Sequence, residues 1–363
     1  MTWMLFFSTS NLVSQLPRPQ PTPPGLGIAR ATSHISRRFI AMATVPPRIG
    51  YKLMSELYGP KDLVQNARAA EAAVFDFVSL SDHFHPWMAS QGHAPYAWSV
   101  LGAIASATTH VDLTTAVTCP YIRYHPAIIA QAAATIACMS SGRFSLGVGT
   151  GENLNEHVVG VSLPPPRIRR EMLREAIESM RSLWSGGVRS YAGEHVTIDR
   201  ARVFDLPDEA PKILVAAAGP AGAKLAAEHG DGLFATEPKP SIVEAWRENG
   251  GKGPAYAEIA LCYAPNVDEA RRTAHERFRF GVLGWKLLSE LPSFPNFEAA
   301  TEHLRPEDIG RAIACGPDPA VHLALIDKYR EAGFDHLVLV GVAEDQKSFI
   351  DFCQREIYPA LRA

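Results

Sequence analysis

Two short segments concentrate residue types that move protons and hold charged ligands. They are Ser81-Asp82-His83-Phe84-His85-Pro86-Trp87 and Gly149-Thr150-Gly151-Glu152-Asn153-Leu154-Asn155. An imidazole titrates near neutrality, so His83 is the prime candidate to accept a proton at working pH. Asp82 beside it could orient it or reach a ligand. Both also have a plain reading, as residues that cap the turn that follows. Glu152 comes directly after a Gly-Thr-Gly run, where backbone can approach a ligand closely and exposed N–H groups can hold anionic or carbonyl oxygens. The run lacks the GxGxxG spacing of a dinucleotide fingerprint, and it equally suits a tight turn with Glu152 capping a helix. Trp87 could stack on a ring or simply pack, and Lys239 could pair with a substrate anion or stay solvated. Cys119 precedes Pro120 and reads as a small packed residue, because no paired base makes it a nucleophile.

These residues gain meaning from the elements that carry them. From Arg48 onward, short apolar runs alternate with amphipathic stretches. The strands expected are Ile49–Leu53, Phe75–Leu80, Val111–Val117, Phe144–Val148, Ile213–Ala216, Gly232–Ala235, Ile259–Tyr263 and His336–Val340. Helical patterns such as Pro60–Ala73, Pro126–Met139, Arg169–Trp184 and Pro319–Ala332 lie between them. Nearly continuous apolar strands that alternate with helices predict a parallel α/β barrel, the (β/α)8 TIM barrel. Active sites of such barrels gather at the C-terminal ends of the strands. There the polar segments stand: Ser81–Trp87 after the second strand, Thr118–Pro126 after the third, Gly149–Glu156 after the fourth, Ala217–Pro220 after the fifth and Thr236–Lys239 after the sixth. Val188–Leu206 alternates like a hairpin around Gly193, and Leu287–Pro306 reads as a loop; both are expected as insertions at the mouth.

The chain has 363 residues, 47% hydrophobic and 20% charged, with a formal net charge of -3. That suffices for one large core, and no basic stripe points to nucleic acid. Five cysteines, Cys119, Cys138, Cys262, Cys315 and Cys353, show no metal-ligand spacing and suit free thiols in the cytoplasm. Residues 1–47 contain no Asp or Glu, and the proline run Pro17–Pro24 cannot be helical. Met4–Phe7 is too short to span a bilayer. The segment reads as a transit peptide on its basic stretch Arg30–Arg38, as a twin-arginine signal at Arg37-Arg38 that lacks a following apolar run, or as an extension before a working start at Met42. In each reading, residues 48–363 form a single barrel domain.

Together the segments Ser81–Trp87, Thr118–Thr135 and Leu146–Glu156 resemble the deazaflavin-dependent branch of the luciferase-like superfamily. Glu228–Gly232 and Met180–Trp184 add to the likeness, which covers nearly all of the chain from Ile49. The resemblance implies a TIM barrel that binds coenzyme F420 and passes a hydride from an alcohol or sugar hydroxyl carbon to it. It implies that His83 takes the hydroxyl proton, that Glu152 serves the cofactor's N1 edge and that Trp87 shapes the reacting face. It implies cofactor contacts from Asp82, Ala116, Val117, Cys119, Pro120, Asn155, Ala218, Gly219 and Ala221, with a non-prolyl cis peptide at Ala116-Val117. Thr236 and Lys239 match part of a sugar-phosphate site; Lys286 is out of register, and Arg311 stands beside the expected arginine position. A neutral or less charged alcohol is therefore expected over glucose 6-phosphate. The partner implied is a small-molecule alcohol or sugar, with a homodimer as the assembly and no membrane.

Three other readings compete. An FMN-dependent monooxygenase or reductase would share the fold. A metal-dependent barrel hydrolase using His83 and His85 would need further ligands, and Ala217-Ala218-Gly219-Pro220 and the sixth strand end supply no His. A barrel that has kept only its scaffold is opposed by the intact His83 and Glu152.

Overall fold

The computed structural model describes residues 46–362. The expectations for the N-terminal tail, including a start at Met42, lie outside the described residues. The strands are β1 (Arg48–Leu53), β2 (Phe77–Leu80), β3 (Asp112–Thr115), β4 (Phe144–Val148), β5 (Arg189–Ala192), β6 (Thr197–Ala201), β7 (Lys212–Ala216), β8 (Gly232–Ala235), β9 (Ala255–Cys262), β10 (Ala314–Cys315) and β11 (His336–Gly341). Parallel pairing runs β1-β2-β3-β4-β7-β8-β9-β11 and returns from β11 to β1, so eight strands close a ring. The barrel is the one the alternation of strand and helix predicts.

Parallel neighbours need long crossovers, and the helices supply them. Those over Pro60–Ala72, Pro126–Met139, Pro166–Trp184, Pro220–His229, Pro240–Glu248 and Pro319–Glu331 all begin at proline. Proline is pre-set for the first helical position, where its missing N–H would go unused. Each helix turns an apolar face to the barrel; Leu173, Ile177 and Met180 of Pro166–Trp184 are buried there. Inside the ring, Phe77, Leu214, Phe234, Tyr256 and Val338 interlock as an apolar plug. The plug closes the lower barrel, so polar chemistry is confined to the upper end.

Three strand boundaries shift by two residues or more from the expectations. β3 stops at Thr115 rather than Val117, and the Ala116-Val117 peptide that follows is cis, where the resemblance placed it. β2 begins at Phe77 rather than Phe75, and β9 at Ala255 rather than Ile259. A ninth sheet strand, β10, pairs with the end of β9; two residues are too few for any periodic signal. Leu287–Pro306 is not a loop but carries helix Phe294–Ala300 and leads into helix Pro306–Ile309. Pro295 and Pro306 sit in the first turns of these helices, where proline is tolerated, and Pro292 lies just before the first of them. Among the described residues no helix is long and apolar enough to cross a membrane.

The hairpin expected at Val188–Leu206 is β5 and β6. Its turn is clamped by Glu175 of helix Pro166–Trp184, whose carboxylate accepts the N–H groups of Glu194, His195 and Val196 at 3.0, 2.8 and 3.0 Å. Burial alone would raise this carboxyl, but the three donors hold it below its ordinary range. Its contribution to stability is therefore present above the unfolded carboxyl pKa and lost as pH falls through the lowered folded value. Glu175→Ala should reduce unfolding free energy by about 2–3 kcal/mol at neutral pH, with the gap to wild type narrowing in acid. Denaturant titrations at pH 7 and pH 3 check both parts.

Candidate active site

Six strand ends converge on the mouth. β1 delivers Glu56, β2 delivers Asp82, His83 and Trp87, and β3 delivers Ala116–Arg123. β4 delivers Glu152, Asn155 and Glu156, β7 delivers Ala218 and Gly219, and β8 delivers Thr236–Lys239. Glu56 was not among the residues singled out from sequence. Its signal was available, as the first acid in the chain and the one just beyond the first strand.

His83 is 8% exposed and stands between two carboxylates. Its Nε2 lies 3.6 Å from Glu56 Oε1 and 3.6 Å from Glu152 Oε2. These separations exceed a direct hydrogen bond but fall well within strong Coulombic reach. Its Nδ1 lies 3.1 Å from the His85 carbonyl and 3.2 Å from Asn155 Nδ2. The two contacts demand opposite tautomers. Donating to His85 puts the proton on Nδ1 and leaves Nε2 a free base; accepting from Asn155 puts it on Nε2.

The flanking acids are driven apart. Burial pushes Glu56 up, but His83, Lys52 and the Ser81 hydroxyl outweigh it and hold Glu56 below the ordinary carboxyl range. Ser81 Oγ donates to Glu56 Oε2 at 2.7 Å. Burial likewise pushes Glu152 up; the Glu56 charge adds to the rise, and His83 and Asn155 only partly offset it. One imidazole thus stands between one carboxyl held below its ordinary range and another pushed above it, the divergence that acid–base sites use.

Asn155 locks this geometry. Its Oδ1 accepts from the N–H groups of Phe84 and His85 at 2.8 and 3.2 Å, and its Nδ2 donates to Glu152 Oε2 at 3.1 Å. Asp82 serves the scaffold: Arg123 and Tyr124 donate to its Oδ1 at 3.1 and 3.0 Å, and Thr118 to its Oδ2 at 2.8 Å. Its carboxylate is fully committed and does not orient His83. Cys119 is buried and its thiol is pushed far up by desolvation and by Glu156, so it packs rather than reacts. Gly149 makes room for Val117, since a Cβ there would stand 2.7 Å from Val117 Cγ2.

The remaining expected residues line the rim. Ala218 and Ala221 are exposed, and a Cβ on Gly219 would meet nothing within 4 Å, so the N-terminus of helix Pro220–His229 opens onto free space. Thr236 is exposed, and Lys239 Nζ donates to Glu237 Oε2 at 2.5 Å. Arg311 faces solvent beside Asp308, and Lys286 is exposed. His85 turns its Nδ1 to the Leu154 carbonyl, away from His83.

The segment Phe280–Ala300 roofs one side. Trp87 stacks on Phe280 at 4.9 Å between ring centroids and meets Phe297 edge-on at 5.2 Å, while its other neighbour is the His83 ring at 4.9 Å. The roof is latched at its far end. Ser289 O accepts from Asn153 N at 2.9 Å, and Arg169 donates to Glu290 Oε1 at 2.6 Å. Trp87→Ala should remove the centre of this contact at a cost of about 3–5 kcal/mol. Proteolytic nicking within 285–305 should accelerate while the barrel stays intact; unchanged cleavage would show that the latch alone holds the roof.

Comparison with known proteins agrees with this architecture. The family model described as luciferase-like monooxygenase matches residues 39–336. An F420-dependent glucose-6-phosphate dehydrogenase of Tsukamurella paurometabola is 36% identical over 87% of this chain and 98% of its own. A protein of the same name from Mycobacterium avium is 34% identical over the same shares. An F420-dependent secondary alcohol dehydrogenase, solved with an F420-acetone adduct, superposes with a TM-score of 0.81 at 30% identity, over 88% of this chain and all of its own. The chain belongs to the luciferase-like family, in the branch that holds the F420-dependent dehydrogenases.

Proposed function

We propose that the protein is a coenzyme F420-dependent dehydrogenase that oxidises a neutral secondary alcohol. The observation that carries the reading is the Glu56–His83–Glu152 arrangement at the barrel mouth, one base between two acids of opposite character.

The residues present suit the cofactor. Val117, seated over Gly149, offers an apolar floor for a planar ring, and Glu152 gives the ring's polar edge a carboxyl pushed above its ordinary range by burial. The open helix N-terminus at Gly219 suits an anionic tail, because its N–H groups and dipole favour negative charge. Ala116, Val117, Cys119, Pro120, Asn155, Ala218, Gly219 and Ala221 would form this cradle. When bound, the deazaflavin supplies the hydride acceptor.

The chain's own part is proton handling. With Nδ1–H directed at the His85 carbonyl, His83 Nε2 is free to take the substrate hydroxyl proton. The positive charge that develops on the ring faces the Glu56 carboxylate 3.6 Å away, which stabilises it where it forms. Glu152, whose carboxyl burial pushes upward, would face the electron-rich edge of the bound ring. Trp87 and the roof keep water from the reacting atoms. Asp82 acts through Arg123 and Thr118 to hold the strand ends.

The substrate class follows from the rim. Phosphate recognition takes several charge-assisted bonds. Lys239, which matches part of a sugar-phosphate site, is neutralised by Glu237, and Arg311 points to solvent. Each missing bond to a charged group weakens binding by about 1.5–3 kcal/mol. A simple secondary alcohol should therefore show a kcat/KM above that of glucose 6-phosphate by at least a decade, in side-by-side assays with F420; the reverse order would assign other cations to a phosphate site.

A second prediction concerns the cofactor and the acid–base set. Fluorescence titration should show tighter binding of F420 than of FMN. His83→Ala should lower turnover about 10²–10⁴-fold with cofactor affinity nearly unchanged, and Glu152→Gln should slow single-turnover hydride transfer. Wild-type turnover by His83→Ala at every pH would remove His83 from the chemistry.

A further inference from the structure

Lys52 is a lysine inside the barrel, 5% exposed, on β1 above the apolar plug. A buried ammonium is costly unless its donors and charge are matched. Its Nζ donates to the Ala116 carbonyl at 2.9 Å and to Glu258 Oε1 on β9. β11 separates β1 from β9, and β2 separates β1 from β3. One ammonium therefore ties β9, across the interior, to the residue where the chain leaves β3 for the mouth. Ala116 leads directly into Val117 and Thr118, and Thr118 carries the hydroxyl that holds Asp82.

A structural filler would not need a charge at this place. Buried ion pairs are often replaced by apolar residues without loss of stability, so stability is a weak reason for this one. Its position suggests another. We propose that Lys52 is a positioning residue for the reaction, which fixes the Ala116–Thr118 segment at the floor of the mouth and supplies positive charge to Glu56. The groups that face Glu56 are His83, Glu152, Lys52 and Ser81, and Lys52 is the one lysine among them. Its field is one of the causes that hold Glu56 below the ordinary carboxyl range in spite of burial. Glu258 matches the charge of Lys52 from the side away from the cluster and so sets where the ammonium sits.

This inference rests on the cofactor reading above for its binding arm and is independent of it for its titration arm. The variants are Lys52→Met, which keeps the stem and loses the charge, Lys52→Arg, and the double variant Lys52→Met/Glu258→Gln, which leaves no unpaired buried carboxylate. Thermal unfolding should show the double variant recovering most of the stability that Lys52→Met loses. A filler would then be fully replaced. A positioning residue would not, and three readouts separate the two. In the double variant F420 should bind about tenfold more weakly, one lost charge-assisted bond being worth that order. The acidic limb of kcat/KM should move to higher pH, and Lys52→Arg should restore it in part. In the cofactor-free protein, carbon-detected NMR should place the Glu56 carboxyl titration roughly one unit higher than in wild type. If wild type fails to bind F420, the cofactor reading falls and the Glu56 titration alone decides about Lys52. Wild-type Glu56 titration in the double variant, or wild-type F420 affinity where wild type binds it, would overturn the proposal.

Discussion

One imidazole held between two buried carboxylates is the constraint that organises the upper barrel. Three ionisable groups within 3.6 Å of a common nitrogen cannot all be charged in a low-dielectric mouth, and they cannot all be neutral and still do acid–base work. The fold answers by making their surroundings unequal. Glu56 receives a hydroxyl donor and lies in the field of Lys52, so it carries the negative charge. Glu152 is buried with one amide donor and sees the charge of Glu56, so its carboxyl is pushed above the ordinary range. The same logic extends one shell outward. Arg123 stands between Asp82 and Glu156, and burial pushes Glu156 up to about 7, so that the outer cluster does not add a full second negative charge. Arg123 also prevents Asp82 from competing with Glu56 for the imidazole.

Geometry is as constrained as charge. Asn155 fixes Phe84, His85 and Glu152 at once through its two ends, and so determines how the His83 ring can turn. The ring has two alternative partners on Nδ1, and proton uptake at Nε2 is compatible only with donation to the His85 carbonyl. The tautomer needed for a base is thus available without any movement of the backbone. Trp87 closes the other face and passes the position of the roof to the ring, since it touches His83, Phe280 and Phe297 together.

Much of this was legible in the sequence, and the reasons it was or was not are physical. Strand–helix alternation reports a parallel barrel because both faces of such a sheet are buried, and a barrel directs attention to the C-terminal strand ends. That is why His83 and Glu152 could be named before any coordinates, whereas Asn155 was named only through the family resemblance. Glu56 escaped because it lies three residues past β1, in a connection with no motif around it, and its role depends on Ser81 and Lys52 from other parts of the chain. β10 escaped because two residues have no period, and the roof helices because proline in a first turn and proline in a loop look alike in one dimension. Lys239 illustrates the converse: its place on the rim was readable, but its neutralisation by Glu237 is a matter of side-chain direction.

The division of labour between layers explains how one barrel can serve different substrates. The apolar plug and the proline-started helices answer only to packing, and they would be the same whatever the alcohol. In the proposed reading the His83 cluster handles proton transfer and would also change little with the substrate. Recognition is left to the rim and roof, which are attached through a small number of polar latches such as Arg169–Glu290 and Asn153–Ser289. Substitutions there alter what enters without disturbing the inequality between Glu56 and Glu152. A pair such as Glu237 and Lys239 can remove an anion site with one carboxylate, at a distance from the reacting atoms and at little cost to the fold, because exposed ion pairs contribute little to stability. In the proposed reading, specificity depends on which rim cations are left uncompensated, while the chemistry depends on the unequal surroundings of the two buried carboxyls.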